Sequence, residues 1–133
     1  MSRLDVVVDR LASGAALIRL TGEFEHEFAY TLDVQLQKVE AETETLVLDL
    51  RGLFFMDSAG LGRLLAARRR AARARRRLVI VRGGRVVDRV MMLAGLQDVF
   101  EMVGDVPPEL LVPPAPGTAP MMAAPAASAT MAE

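Results

Sequence analysis

Cysteine is missing from the sequence altogether. Its absence excludes a disulfide framework, a thiolate metal site and cysteine catalysis, and it fits a reducing compartment. Long hydrophobic runs are missing too. No apolar signal core follows the first residues, and no segment approaches the ~20 apolar residues that span a bilayer. We therefore expect a cytoplasmic protein that makes no use of a membrane.

Histidine is almost absent, since His26 is the only one. A serine hydrolase needs a base, and the elbow pattern G-x-S-x-G is not satisfied around Ser58 because Met56 occupies its first glycine position. No P-loop for nucleotide phosphates is present either. We therefore predict a protein that is not an enzyme, with no catalytic residue and no cofactor. A hydrolytic or nucleotide-binding enzyme is kept as the least favoured of three hypotheses; the other two are given below.

Proline does not occur before residue 107, because all seven prolines lie in the Pro/Ala-rich end of the sequence. Such sequence buries too little apolar surface to offset the entropy lost on ordering. The rest of the chain has the length and apolar content of one packed domain. We predict a folded domain over residues 1–104 and a disordered tail over residues 105–133.

An excess of charge is also lacking, since the net charge is −1. The strongest local bias is the stretch from Arg68 to Arg77, which holds seven arginines in ten positions. It has no interleaved aromatic residue, and its arginines complement a helix C-terminus. We interpret it as a solvated basic face and predict no direct binding of nucleic acid.

What is present is a regular alternation of strand and helix patterns. Strands are predicted at residues 4–8, 16–20, 45–50, 78–81 and 99–103, and helices at residues 27–42, 58–74 and 86–93. This order predicts an α/β sandwich: a mixed sheet of four to five strands with three to four helices, mainly on one face. The later crossovers should be parallel and right-handed.

The stretch FMDSAGLG, residues 55–62, follows the predicted central strand and begins the second helix. Asp57 is a strong N-cap candidate, which places the Ser58 hydroxyl beside unpaired backbone N–H groups. A phosphate on that hydroxyl would be favoured there. Gly60 and Gly62 leave room for a partner's backbone or a nucleotide phosphate. The alternative is that Asp57 and Ser58 only cap the helix, while the glycines allow close packing on the sheet.

A second polar cluster lies in GEFEHEF, residues 22–28, just before the first predicted helix. Glu23, Glu25, His26 and Glu27 are residue types that can ligate a metal. Acidic residues at a helix start, however, are ordinary complements of the helix dipole, and these side chains are tightly spaced. We predict no metal site.

Three stretches, in this order, resemble the STAS domain of bacterial anti-sigma factor antagonists, in particular the sporulation anti-anti-sigma type. They are IRLTGEFEHEFAYTL (18–32), LVLDLRGLFFMDSAGLGRLL (46–65) and VVDRVMMLAGLQDVF (86–100). The resemblance covers roughly residues 4–103. It implies the STAS fold, in agreement with the predicted α/β sandwich.

The resemblance also implies a partner switch. Ser58 would be phosphorylated by an anti-sigma factor, a serine kinase of the histidine-kinase-like ATPase type, and a PP2C-type phosphatase would reverse this. The unphosphorylated domain would bind the anti-sigma factor and release its sigma factor, and the phosphorylated domain would dissociate. The residues implied in partner binding are Glu23, Glu25, His26, Met56, Asp57, Ser58, Ala59, Gly60, Leu61 and Gly62.

The sequence departs from the family pattern at two places. Glu25 stands where the family usually has aspartate, and ARARRR (72–77) forms a link that often contains glycine in the family.

The alternative function is a STAS module of another partner-switching complex, such as a stressosome-like assembly, without a direct sigma factor target.

Overall fold

A five-stranded mixed sheet organises the chain. The structure is a computed structural model, and it describes residues 3–115. Its strands are β1 (Leu4–Arg10), β2 (Ala16–Phe24), β3 (Thr45–Met56), β4 (Arg77–Val81) and β5 (Glu101–Val103). Its α-helices are α1 (Ala29–Val39), α2 (Ser58–Ala74) and α3 (Arg85–Leu93), and 3-10 turns cover Glu40–Glu42 and Pro108–Leu111.

The strands lie in the order β1-β2-β3-β4-β5. β1 and β2 form an antiparallel hairpin, and every later pair is parallel. Gly14 turns the hairpin with a φ of 96°, a conformation that favours glycine. The predicted α/β sandwich with a mixed sheet is therefore confirmed, as is the parallel pairing after the first hairpin.

Both faces of the sheet are apolar, because successive side chains along each strand point to opposite sides. All three helices cover one face, and their buried residues share a core with alternate residues of the strands. The strand residues of this helix-side core include Ile18, Leu20, Leu46, Leu48 and Ile80. The intervening residues, Leu17, Val47, Val79 and Val81, form a smaller core on the second face.

The second face is covered by the chain that follows β5, residues 104–112, here called the C-terminal strap. Leu110 is buried in the second-face core, and Val106 packs against that core. The Ser13 N–H, in the β1–β2 turn at the opposite edge of the sheet, donates to the Leu110 carbonyl oxygen at 3.3 Å. The strap therefore runs across the sheet from β5 toward β1.

Ion pairs hold the strap in place. Arg51 donates to the Asp105 carboxylate at 3.1 Å, and Arg77 donates to the Glu109 carboxylate at 3.1 Å. The predicted domain ended at residue 104, whereas the structure extends the packed chain into the predicted tail. Composition alone did not predict this packing, because the few apolar residues near the prolines pack on an apolar surface that the sheet provides. The part of the predicted tail after residue 115 lies outside the described residues.

Three element boundaries differ from prediction at the end of the sheet that carries Ser58. β2 continues to Phe24 and β3 continues to Met56, instead of ending at residues 20 and 50. α1 begins at Ala29 rather than 27, because Glu25 to Phe28 form a turn in which the Phe28 N–H donates to the Glu25 carbonyl oxygen at 2.8 Å. The acidic cluster therefore lies on a strand end and a turn.

Candidate functional site

The two candidate segments meet at the carboxyl ends of β2 and β3. Phe24 and Met56 pair at the last position of the two strands, and the Asp57 N–H donates to the Phe24 carbonyl oxygen at 3.2 Å. The turn with Glu25 and His26 therefore lies beside the start of α2. In open α/β sheets, ligands and partners bind at this edge.

Asp57 joins these two segments through its carboxylate. One oxygen, Oδ1, accepts hydrogen bonds from the backbone N–H groups of Ala59 and Gly60, both at 3.0 Å. The other, Oδ2, accepts the His26 N–H at 3.0 Å. The predicted N-cap is confirmed, and the same side chain also holds the turn before α1.

These hydrogen bonds keep the Asp57 carboxylate in its ionised form. Partial desolvation raises the pKa of Asp57, but the hydrogen bonds from the Gly60, His26 and Ala59 N–H groups outweigh it, so the net pKa is lowered. Asp57 therefore keeps a negative charge next to Ser58 at neutral pH.

Ser58 is the first residue of α2, and its side chain is exposed. Within residues 3–115, no side chain or backbone group forms a hydrogen bond with its hydroxyl. The hydroxyl is therefore accessible to a modifying enzyme at the N-terminal end of a helix, where the helix dipole favours an anion, although the Asp57 carboxylate already accepts the Ala59 and Gly60 N–H groups.

The two glycines near Ser58 have different roles. A Cβ on Gly60 would lie 2.3 Å from the Phe24 carbonyl oxygen, so only glycine allows α2 to approach β2 this closely. A Cβ on Gly62 would meet nothing within 4 Å. Close packing, one of the two interpretations of these glycines, therefore applies to Gly60, whereas Gly62 keeps an open surface.

The predicted partner-binding set divides by depth. His26 and Ser58 are exposed, and Glu23, Glu25, Asp57, Ala59, Leu61 and Gly62 are half-buried. Met56 is only 2% exposed and faces the helix-side core, and Gly60 is buried. Met56 and Gly60 therefore lie beneath the surface of the site, with the Met56 side chain in the core.

Negative charge accumulates on one side of Ser58. The pKa of Glu25 is raised, first by a hydrogen bond shared with the Glu23 carboxyl group, then by desolvation and by repulsion from Glu23, Asp57 and Glu27. One carboxylate oxygen of Glu23 is buried without a hydrogen-bond partner among the described residues. Within residues 3–115, no three acidic or histidine side chains converge as metal ligands.

Sequence reasoning missed two phenylalanines that follow one another in β3. Phe54 and Phe55 are 63% and 41% exposed, although Leu53 and Met56 on either side are buried. The strand register explains this, because β3 shifts against β2 between Gly22 and Glu23. The pair FF, one residue before the N-cap, was the available signal, since simple alternation would have buried one of the two rings.

The arginine run is only in part the solvated face that its composition indicated, since Arg69, Arg73 and Arg75 are exposed but other arginines of the run contact neighbouring segments. Arg70 pairs with the buried Glu40 of the turn after α1 at 3.0 Å, and Arg77 pairs with Glu101 at 2.6 Å. Arg68 donates to the Val99 carbonyl oxygen at 3.0 Å. Much of the run therefore joins α2 and β4 to neighbouring segments.

The link between α2 and β4 contains the left-handed residue for which glycine is best suited. Arg75 has a φ of 57° and a ψ of 39° at the C-cap of α2. A residue with a Cβ is strained in this region. The link therefore holds an arginine at a position where glycine would be unstrained.

No helix within residues 3–115 is long and apolar enough to cross a membrane.

Several solved structures have a fold similar to that of this chain. The chain is similar to the structure of the anti-sigma factor antagonist SpoIIAA in its unphosphorylated form (TM-score 0.66, 22% identity, covering 79% of this chain and 90% of that one). It is similar to an anti-sigma factor antagonist from Mycobacterium paratuberculosis (TM-score 0.72, 23% identity, covering 78% and 88%). It is also similar to the Bacillus cell fate determinant SpoIIAA in its phosphorylated form (TM-score 0.62, 21% identity, covering 79% and 94%).

These likenesses show a shared fold. A family model described as "Mlab, STAS domain" matches residues 7–106 of the sequence, which is most of the chain. The match includes every strand from β2 to β5, the three helices, and both segments that meet around Ser58. The chain therefore belongs to the STAS domain family.

Proposed function

We propose that this chain is an anti-sigma factor antagonist that is switched by phosphorylation of Ser58. The observation that carries the proposal is an exposed serine hydroxyl at the first position of α2, directly after a charged capping carboxylate. Two of the similar structures support it, since they are of SpoIIAA in an unphosphorylated and a phosphorylated form. The partner would be an anti-sigma factor, and the place of action would be the cytoplasm.

The switch works through charge at the docking surface. Phosphorylation adds about −1.5 to −2 charges at neutral pH. This charge would join Asp57 and the acidic turn, and a partner would have to desolvate all of it at once. Each ~1.4 kcal/mol lost lowers affinity tenfold, so a few kcal/mol reverses the competition with a sigma factor. No large change of fold is needed.

In this scheme the chain is a substrate and does not catalyse. The Ser58 Oγ would attack the γ-phosphorus of ATP bound to the kinase, losing its proton and displacing ADP. Nucleotide and metal would belong to the partner, an anti-sigma factor serine kinase of the histidine-kinase-like ATPase type. Hydrolysis of the phosphoserine by a PP2C-type phosphatase would restore the serine and release phosphate.

The test compares the full chain with Ser58→Ala and Ser58→Asp as baits. The alanine form should retain the ATPase and the aspartate form should not. The purified ATPase with MgATP should then add one phosphate to the wild type and none to Ser58→Ala. Ser13→Ala, a serine change in the β1–β2 turn, is the matched control and should be labelled like the wild type. Undiminished labelling of Ser58→Ala would disprove the assigned site.

A second function has one observation in its favour. The matching family model is described as "Mlab, STAS domain", a description that names no sigma factor. The alternative is a STAS module in another signalling assembly, such as a stressosome-like scaffold, with the same serine as its switch. Light scattering or native mass spectrometry of the captured complex separates the two, because a stable large assembly favours the scaffold.

A further inference from the structure

A groove lies between the C-terminal half of α2 and the chain that leads into β5. Its volume is about 180 Å³. The apolar residues that line it are Ala71, Ala72, Leu78, Val99 and Phe100. Since a cavity of about 150 Å³ in another protein takes up benzene, this groove has room for one ring-sized apolar group.

Two arginines line the same groove, and each is anchored through one nitrogen of its guanidinium group. The Arg68 Nε donates to the Val99 carbonyl oxygen at 3.0 Å, and the Arg76 Nε donates to the Thr43 carbonyl oxygen at 3.2 Å. Within residues 3–115, the terminal nitrogens of both groups form no hydrogen bond and no ion pair. Because a guanidinium group carries five N–H donors, most donors of Arg68 and Arg76 remain for a ligand.

The other polar groups at this groove already have partners. Glu101 also lines it, but both of its carboxylate oxygens accept hydrogen bonds from Arg77, at 3.0 and 2.6 Å. The end of α2 is capped, since the Arg76 N–H donates to the Ala71 carbonyl oxygen at 2.8 Å. The positive charges of Arg68 and Arg76 therefore have no counter-charge among the groups that line the groove.

This combination of groups selects the kind of ligand. Arginine binds carboxylates with paired N–H···O hydrogen bonds, which are stronger than neutral ones. A ring placed against Val99 and Phe100 gains free energy from the apolar surface it buries. A polar anion satisfies only the arginines, and a neutral ring satisfies only the apolar surface. Room for a single ring favours a free small molecule over a protein segment.

We propose that this groove binds a small organic carboxylate that carries one ring-sized apolar group. Arg68 and Arg76 attract its carboxylate, and its apolar group packs on Val99 and Phe100. At about 1.5 Å per residue along a helix, Arg68 lies about 15 Å from Ser58. The site is therefore separate from the proposed phosphorylation site, and the inference does not depend on the proposed function.

The first experiment titrates the full chain with benzoate and follows its backbone amides by nuclear magnetic resonance. The signals should shift to saturation, and the shifted amides should be those that line the groove. Benzamide lacks the charge and acetate lacks the ring, so each should bind at least tenfold more weakly. Equal affinity for the three compounds, or benzoate shifts that do not saturate, would overturn the inference.

Variants of the full chain locate the site. Arg68→Gln and Arg76→Gln should each weaken benzoate binding at least fivefold. Arg73→Gln should change it less than twofold, because Arg73 is exposed on the same helix and does not line the groove. Equal midpoints of thermal unfolding without benzoate would show that the variants remain folded.

Ala72→Leu tests the groove without removing an arginine. Its larger side chain fills the space, while the backbone contacts of Arg68 and Arg76 are kept, so benzoate binding should be lost. Wild-type affinity in Ala72→Leu, or equal affinities in the three arginine variants, would overturn the inference. Neither result would affect phosphorylation of Ser58, so the proposed function would still stand.

Discussion

Carboxylates serve different purposes in two regions of this molecule. Between α1 and α2, Asp33 lies 2.8 Å from Arg63, and Glu40 lies 3.0 Å from Arg70. Around Ser58, by contrast, the carboxylates of Glu23, Glu25, Glu27 and Asp57 form no ion pair with any described residue. Paired charges hold two helices together in the first region. In the second, negative charge accumulates without an ion-pair partner beside the serine whose phosphorylation we propose.

The largest expected effect comes from removing a paired carboxylate. Asp33→Ala should lower the free energy of unfolding strongly, because it removes a buried carboxylate that pairs with Arg63 and lies 3.8 Å from Arg70. Urea unfolding at neutral pH measures this change. Glu27→Ala, on the Ser58 side, is the control and should leave stability nearly unchanged. Equal losses in the two variants would remove the contrast between the regions.

The next effect separates the two glycines at the start of α2. Gly60→Ala should cost about 2 kcal/mol, since its new methyl group would press on the Phe24 carbonyl oxygen. Gly62→Ala meets open space and should gain about 1 kcal/mol from helix propensity. Chemical denaturation of both variants measures the difference. A neutral Gly60→Ala would contradict the close approach of α2 to β2.

A smaller effect on the free energy of unfolding is expected at the C-terminal end of α2. Arg75→Gly should stabilise the fold by about 1 kcal/mol, because glycine adopts the left-handed conformation without strain. Arg69→Gly, a change within the same helix, should instead destabilise by about 1 kcal/mol. Thermal unfolding with calorimetry distinguishes the two signs. A destabilised Arg75→Gly would mean that contacts of the Arg75 side chain outweigh its backbone strain.

The smallest effects depend on pH and have opposite signs at Asp57 and Glu25. The lowered pKa of Asp57 adds stability above the ordinary value of 3.8, and this is lost as the pH falls through the folded-state pKa. The raised pKa of Glu25 adds stability below 4.5, and this is lost as the pH rises through the folded-state pKa.

Glu25→Gln should therefore gain on the wild type as the pH rises above 4.5, whereas Asp57→Asn should be less stable than the wild type above pH 3.8 and should lose that deficit as the pH falls below 3.8. Urea midpoints measured between pH 3 and pH 7 test both trends. Parallel curves for the wild type and Glu25→Gln would show that Glu25 titrates normally.

Local signals allowed much of the site to be predicted from the sequence. Asp57 has the residue type and position of an N-cap, and the periodicity of the second helix gave its limits, Ser58–Ala74, as the structure has them. The fold class followed from the order of patterns. These features depend on contacts between near neighbours in the chain, which a sequence displays directly.

The features that were missed depend on distant contacts. The continuation of β3 from Arg51 to Met56 was not predicted, because RGLFFM does not alternate, and the bulges of this segment exist only relative to β2. The strap was assigned to a disordered tail, because its few apolar residues gain their burial from a surface that other strands build. The salt bridges of the arginine run likewise join segments that the sequence keeps far apart.

The strap also has a consequence for synthesis of the protein. A chain emerges from the ribosome from its N-terminus, so β1 and β2 are available long before Leu110. The helix-side core can assemble once Phe100, its last buried residue, has been made. The second face has to wait, because Leu110 and the Ser13 turn come from opposite ends of the domain. Until translation passes the strap, the nascent domain exposes one apolar side of its sheet.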